Sequence, residues 1–177
     1  MAVPGSANLL LLGGEQGYKI SRSLRFNSAE SAYLNRTFGT PTDNIKWTWS
    51  GWVKRSAFGS YQNLFIGDDG SSNNFCYLRF SDVDKLECYQ ISGGSYNLRL
   101  ETNGVFRDPS AWYHIVLIYD SANATSTDRV QVYVNSTRQT VSYVVGPFSQ
   151  NTACQANVSS RAHAIGRLLY SNIHYFN

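Results

Sequence analysis

A chain of 177 residues is long enough for one domain with its own core, and 42% of it is apolar while only 15% is charged. The formal net charge is +3, and the basic residues Arg25, Arg36, Arg79, Arg99, Arg129 and Arg161 stand singly, with Lys54-Arg55 the one adjacent pair. That scatter argues against nucleic acid as a partner, and no apolar run has the length for membrane insertion.

Ser, Thr, Asn, Gly and 12 Tyr fill the place that charged residues usually take. β-Branched and aromatic side chains suit a pleated surface, and Gly and Asn suit turns, whereas the residues of long helices are scarce. The expected class is all-β.

Residues 1–17 differ from the rest: Pro4-Gly5-Ser6, then Leu9, Leu10, Leu11 and Leu12, then Gly13-Gly14 and Gly17. An apolar patch bounded by glycines reads as a flexible anchoring arm. It lacks the basic flank and the length of a secretory signal, which points to a chain made in the cytoplasm. The four Asn-X-Ser/Thr sequons do not argue otherwise, because chance gives about three in a chain this rich in those residues.

From Tyr18 strand signals come at short, regular intervals, and residues 18–177 form the expected sandwich. Ser23–Phe26 and Tyr33–Arg36 are short strands. Ile45–Arg55 is a long one, with Ile45, Trp47, Trp49 and Val53 on one parity and Trp52 on the other. Either Gly51 marks a bulge that swings Trp52 inward, or Trp52 caps the outer face. Core packing is expected of Trp47, Trp49 and Trp52, with a sugar-stacking platform as the alternative.

Tyr61–Ile66 leads into the turn-rich loop Gly67–Asn74. Phe75–Phe80 and Leu86–Ile91 make a hairpin over Ser81–Lys85, with Leu78 opposite Cys88. Cys76, Leu78, Phe80, Leu86 and Cys88 then share one face, the two thiols as small buried hydrophobes. Three cysteines cannot close a disulfide framework, and no Cys/His spacing suits zinc. Tyr96–Glu101 follows, then Trp112–Asp120, apolar on both parities and so a covered central strand. Arg129–Asn135 alternates, with Val130, Val132 and Val134 inward. Arg138–Val145 pairs back as a hairpin, and His163–Leu169 is the last clear strand.

Catalytic chemistry is not expected. Glycoside hydrolysis needs two carboxylates facing one bond, yet Glu87 and Glu101 stand alone on their strands, and Asp82 and Asp84 belong to a turn. His114, inside the most apolar strand, reads as a satisfied core histidine, and neither His163 nor His174 falls in a recognisable triad. The candidate ligand site is the oxygen-rich loop, through Asp68, Asp69, Asn73 and Asn74, with Tyr96 added as an aromatic candidate. No cofactor is expected. Calcium is the alternative at that loop, although the spacing departs from the EF-hand.

Ser23-Leu24-Arg25-Phe26, Ala32-Tyr33-Leu34, Trp47–Lys54, Trp112-Tyr113-His114-Ile115, Val132-Tyr133-Val134-Asn135 and Ile165-Gly166-Arg167 occur in that order over residues 23–177. Together they resemble the laminin-G-like, concanavalin A-like jelly rolls. Arg22–Leu34 and Trp49–Arg55 are similar to such domains in structural proteins of marine tailed phages. The resemblance implies a jelly roll of two antiparallel sheets, used in adhesion or virion assembly. Asn135 is followed by Ser136 where the family usually has Gly at a tight turn. The family also has a further core strand, so the sandwich is expected to lack its last strand within residues 18–177, a strand that a continuation past Asn177 or a neighbouring subunit would supply.

The expected function is therefore that of a non-enzymatic virion protein, the N-terminal part of a tail fibre or similar appendage. Its partners would be other virion proteins, further copies of itself and a host-surface glycan. A capsid decoration protein without a ligand and a secreted lectin-like module are the alternatives.

Overall fold

The computed structural model describes residues 22–177, so the arm with Leu9 to Leu12 lies outside the described residues. The strands are β1 (Leu34–Thr37), β2 (Lys46–Val53), β3 (Gln62–Asp68), β4 (Phe75–Phe80), β5 (Leu86–Ser92) and β6 (Ser95–Thr102), then β7 (Tyr113–Asp120), β8 (Val130–Val134), β9 (Thr137–Arg138), β10 (Val141–Val145) and β11 (Ala162–Ile165). They form a seven-stranded sheet in the order β1-β11-β3-β4-β5-β6-β10 and a four-stranded sheet in the order β2-β7-β8-β9. Every pairing is antiparallel. This is the expected all-β jelly-roll sandwich.

Alternation sets the core. Cys76, Leu78, Phe80, Leu86, Cys88, Leu98 and Leu100 of the larger sheet face Ile115, Leu117, Tyr119, Val130, Val132 and Val134 of the smaller one. Each fully buried side chain of this size contributes about 1.5–3 kcal/mol. Leu78 pairs with Cys88, as the hairpin reading requires. Cys154 joins Cys76 and Cys88, all three thiols are free and buried, and hydrogen bonds to Cys154 and Cys88 together with burial push the Cys76 thiol up.

The other parity of β3 to β5 is also apolar at one end: Ile66, Phe75, Tyr77 and Ile91 make a second cluster with Ala164 and Leu168. The segment after β11 lies over that outer face, with Tyr170 stacked 5.0 Å from Phe75 and His174 5.0 Å from Tyr61.

Several elements differ from expectation. Ser23–Phe26 forms no strand, and a 3-10 turn at Ser28–Glu30 follows, capped by the Asn27 side chain. Arg138–Val145 is not one returning strand: β9 pairs with β8, but β10 crosses over to β6. The tight turn survives without its glycine, because Asn135 and Ser136 both adopt positive φ, 50° and 66°. The last strand stops at Ile165 and lies between β1 and β3, so it has partners on both sides.

Gly51 marks no bulge, since β2 keeps an unbroken register with β7. Gly51 serves packing instead, as a Cβ there would lie 2.9 Å from the Trp49 ring. Trp47 and Trp49 pack against the core as expected, whereas Trp52 is 52% exposed on the outer face. His114 is no core histidine. It follows Trp52 outward, stacks on it at 5.0 Å and meets Ser50 Oγ at 2.9 Å. β7 is central in its sheet, but Val116 and Ile118 are half-buried on its outer side. Beside β2, whose second edge takes no partner among the described residues, runs an apolar groove of about 300 Å³ lined by Phe26, Trp49, Val53, Leu64 and Phe176.

One end of the sandwich is closed by charge. Arg55 is fully buried and reaches Asp84 Oδ1 (2.9 Å), the Phe106 carbonyl (2.6 Å) and Gln62 Oε1 (3.2 Å), with the Phe80 ring 4.0 Å beneath it. Asp84 also accepts from Arg107 Nε (2.8 Å) and the Gly59 amide (2.9 Å). Burial works to raise its carboxyl, but Arg107, Gly59 and Arg55 hold it below the ordinary range. Asp84→Asn keeps the shape and tolerates the residue's φ of 63°, yet strands the Arg55 charge. We expect a loss of about 3–5 kcal/mol in urea unfolding, the cost of a buried ion left alone.

His163 is buried between Phe38 (4.4 Å) and Phe65 (5.7 Å). The Asn157 amide donates to its Nε2 (3.0 Å), which leaves Nδ1 to donate to the Arg161 carbonyl (3.1 Å). Burial lowers its pKa below the ordinary 6.5. The folded state therefore takes up the proton later than the unfolded chain. Stability is full above pH 6.5 and declines as pH falls toward the folded value. Denaturant midpoints measured from pH 7 to pH 5 should drop, and His163→Gln should show a shallower drop than the native chain.

Candidate functional site

The outer parity of β4, β5 and β6 carries a polar and aromatic surface that begins where the second apolar cluster ends. Arg79 sits directly across from Glu87, and Arg99 lies one cross-strand pair away, opposite Tyr89. Arg79 Nε donates to Glu87 Oε2 at 2.7 Å, and Arg99 Nε donates to Oε1 at 2.7 Å. Glu87 is thus a buried carboxylate gripped by two guanidinium groups. The Arg79 guanidinium lies 4.0 Å from the Tyr61 ring and 4.5 Å from the Tyr77 ring. Arg99 is 6.0 Å from Tyr89 and its side chain is 40% exposed.

An aromatic row continues the surface. Tyr77 stacks on Tyr89 at 5.1 Å, and Tyr89 meets Tyr96 at 5.5 Å. Burial raises the Tyr89 and Tyr77 phenols above their usual pKa, so both stay protonated hydrogen-bonding groups at neutral pH. Tyr96 is 60% exposed. An exposed phenol ring, a half-exposed one and a guanidinium side by side present an apolar face with polar edges, the surface on which a ring bearing hydroxyls can stack and be hydrogen-bonded.

The oxygen-rich loop is built for itself. Asp69 Oδ1 accepts from the Ser71 amide (3.0 Å) and hydroxyl (2.6 Å), and Oδ2 accepts from Asn74 Nδ2 (2.8 Å). These bonds hold the Asp69 carboxyl below its ordinary range against the opposing effect of burial. Asn74 Oδ1 accepts from the Gly93 amide (2.8 Å) and the Asn73 carbonyl from the Gly94 amide (3.0 Å), which ties the loop to the β5–β6 turn. Asp68 is buried beside Tyr170, and burial pushes its carboxyl up.

The structure thus brings Asp69, Asn73 and Asn74 together at the end of the larger sheet from which Tyr96 rises, while Asp68 turns under the covering segment. The oxygens of Asp69 and Asn74 are engaged within the protein. No group of three or more His, Cys, Asp or Glu side chains is placed to hold a metal ion among the described residues. Of the four aspartate oxygens in the loop only Asp68 Oδ2 lacks a hydrogen-bond partner among the described residues, whereas calcium takes about six to eight oxygens. Excess chelator should leave the melting temperature unchanged, and a fall of several degrees would reveal a cation bound to the folded state.

Arg79, Glu87, Tyr89 and Arg99 do not stand out in the linear sequence. The hairpin alternation that put Cys76, Leu78 and Cys88 inward also puts Tyr77, Arg79, Glu87 and Tyr89 on the opposite face, and that parity is the signal for them.

Over residues 27–167 the chain matches the laminin-G family model of the concanavalin A-like lectin/glucanases superfamily. No curated protein matches it in sequence. Among solved structures, CBM40 of the Ruminococcus gnavus IT-sialidase, bound to α2,3-sialyllactose, has a TM-score of 0.58 at 10% identity, covering 83% of this chain and 86% of that one. The same module bound to α2,6-sialyllactose gives 0.59 at 9% identity, with 83% and 87% covered. Domains LG4-5 of the mouse laminin α1 chain give 0.54 at 12% identity, covering 77% of this chain and 32% of that one. At such identities the likeness speaks for the fold.

Proposed function

Since the chain belongs to the concanavalin A-like lectin/glucanases superfamily, in its laminin-G branch, we propose that it is a non-catalytic glycan-binding module of a phage virion. The observation that carries glycan binding is the Tyr89–Tyr96–Arg99 surface on rigid strands of the larger sheet. Sites built on strands hold their geometry better than sites on loops. A module of the same fold has been solved with sialyllactose bound, which supports the ligand class.

The virion reading rests on Arg22–Leu34 and Trp49–Arg55, the segments similar to phage structural proteins. In it the chain is the N-terminal part of a tail fibre or similar appendage. The segment with Leu9 to Leu12 anchors it to other virion proteins, further copies of the chain assemble with it, and the sandwich meets a host-surface glycan.

A glycan array probed with the purified chain should give reproducible hits. Tyr96→Ala should weaken the strongest of them about tenfold, near 1.4 kcal/mol. Trp52→Ala, on the opposite sheet, should leave it unchanged. Antibody labelling of particles should mark the tail. Labelling spread over the head, together with an empty array, would favour a capsid decoration protein.

A further inference from the structure

We propose that the sugar taken by this face is an acidic one, whose carboxylate pairs with Arg99 while Arg79 adds a second positive charge behind it. The proposal rests on the glycan-binding reading above and names the ligand class of that site.

The argument begins with Glu87. A carboxylate that is 1% exposed needs a partner, because burying an unpaired charge is costly. One arginine would balance it. Here two do, each through Nε alone, one on each carboxylate oxygen. Within this group of three one positive charge is left over; the Asp82 carboxylate lies on the far side, against Tyr61, and not toward Arg99 and Tyr96. The neighbouring Lys85 does not add to it, because Lys85 pairs with Glu101 at 3.1 Å.

The terminal nitrogens of Arg79 and Arg99 make no hydrogen bond to the protein among the described residues. Each guanidinium is therefore anchored by its inner edge; Arg99, 40% exposed, can offer its outer donors to a ligand, whereas Arg79, 10% exposed, is largely covered and acts through its charge. Glu87 acts as a positioning residue: it fixes where both forks stand and takes none of their outer donors.

Orientation decides between an accidental cation and a recognition group. Arg79 is held between the Tyr61 and Tyr77 rings, so its plane is set. Arg99 is the more exposed and borders Tyr89, whose ring leads on to Tyr96. A fork of two parallel N–H donors matches the two oxygens of a planar carboxylate, and charge-assisted pairs of this kind are roughly twice as strong as neutral ones. A sugar ring stacked on Tyr89 and Tyr96 with a carboxylate toward Arg99 would use both features at once. A neutral sugar could accept from these donors through its hydroxyls, but it would leave the extra charge without a partner.

The test is an array that carries each core glycan in neutral, carboxylated (sialic or uronic acid) and sulfated forms, followed by calorimetry on the best pair. We expect the carboxylated member to bind at least tenfold more tightly than its neutral counterpart. Raising salt from low to near-molar concentration should shrink that preference. Arg99→Gln should bring the ratio close to one, and Arg99→Lys, which keeps the charge and loses the fork, should restore only part of it. Melting curves of both variants check that Arg79 still holds Glu87 and the fold.

Equal binding of neutral and carboxylated forms, or a preference that survives Arg99→Gln, would overturn the proposal while glycan binding stands. Tighter binding of the sulfated form would overturn the carboxylate assignment. An array without hits would remove the glycan reading itself, and this proposal with it.

Discussion

The buried pair of Arg55 and Asp84 is the constraint on which the working face depends. Asp84 sits in the turn between β4 and β5 at positive φ, and its two oxygens take Arg55 and Gly59 on one side and Arg107 on the other. That one carboxylate fastens the β4–β5 turn to the β2–β3 and β6–β7 connections. Such a pair adds little net stability over an apolar filling, because desolvating both charges offsets their attraction. Its effect is specificity. A hairpin whose turn slips by one residue exchanges its two faces. Here that slip, taken by β5 against β4, would drive Glu87 and Tyr89 into the core and push Cys88 out.

The larger sheet is asymmetric in a way that follows from this register. β4 is buried along its whole length, because its inward residues meet the smaller sheet and Phe75 and Tyr77 meet the segment after β11. The cover thins across the sheet: Tyr89 is half-buried and Tyr96 exposed. The aromatic row therefore starts as core and ends as surface. Its buried end is packed too tightly to move, and its outer end inherits that rigidity.

The sequence made one half of this visible. Alternation in Phe75–Phe80, Leu86–Ile91 and Arg129–Asn135 carried the core and the hairpin register, because period-two burial is a local signal. It could not carry Arg55–Asp84, 29 residues apart, since no local pattern distinguishes a turn aspartate that faces solvent from one that meets a buried arginine. Trp52 and His114 were misread for a related reason. A large aromatic ring for Trp52 and a strand apolar on both parities for His114 suggest a core, but strict parity, unbroken by any bulge at Gly51, puts both outside. The crossover of β10 to the other sheet was equally hidden, as a strand of half-exposed Val141, Tyr143 and Val145 pairs with either neighbour on local grounds. The oxygen-rich loop stands out by composition, yet the oxygens of Asp69 and Asn74 are taken up within the loop and by the β5–β6 turn.

What separates the loop from the arginine pair is the direction in which their polar groups point. In the loop the oxygens of Asp69 and Asn74 close on the protein, and Asp68 Oδ2, which has no hydrogen-bond partner among the described residues, is buried, so little is left for a ligand to bind. On the sheet Glu87 satisfies only the inner edges of its two partners, and the rings of Tyr61 and Tyr77 fix one of them without consuming a donor. A ligand approaching that surface meets groups already oriented. Arg99 is tethered at Nε by Glu87, so part of the side-chain entropy that binding usually forfeits, about 0.5–1.5 kcal/mol for each long side chain, has been surrendered on folding. Pre-ordering of this kind is what a flat, shallow face requires, because it has little buried area with which to offset the loss of ligand freedom. A strand-borne, half-covered surface with fixed donors can therefore bind a small polar ring where a more open loop of the same composition would not.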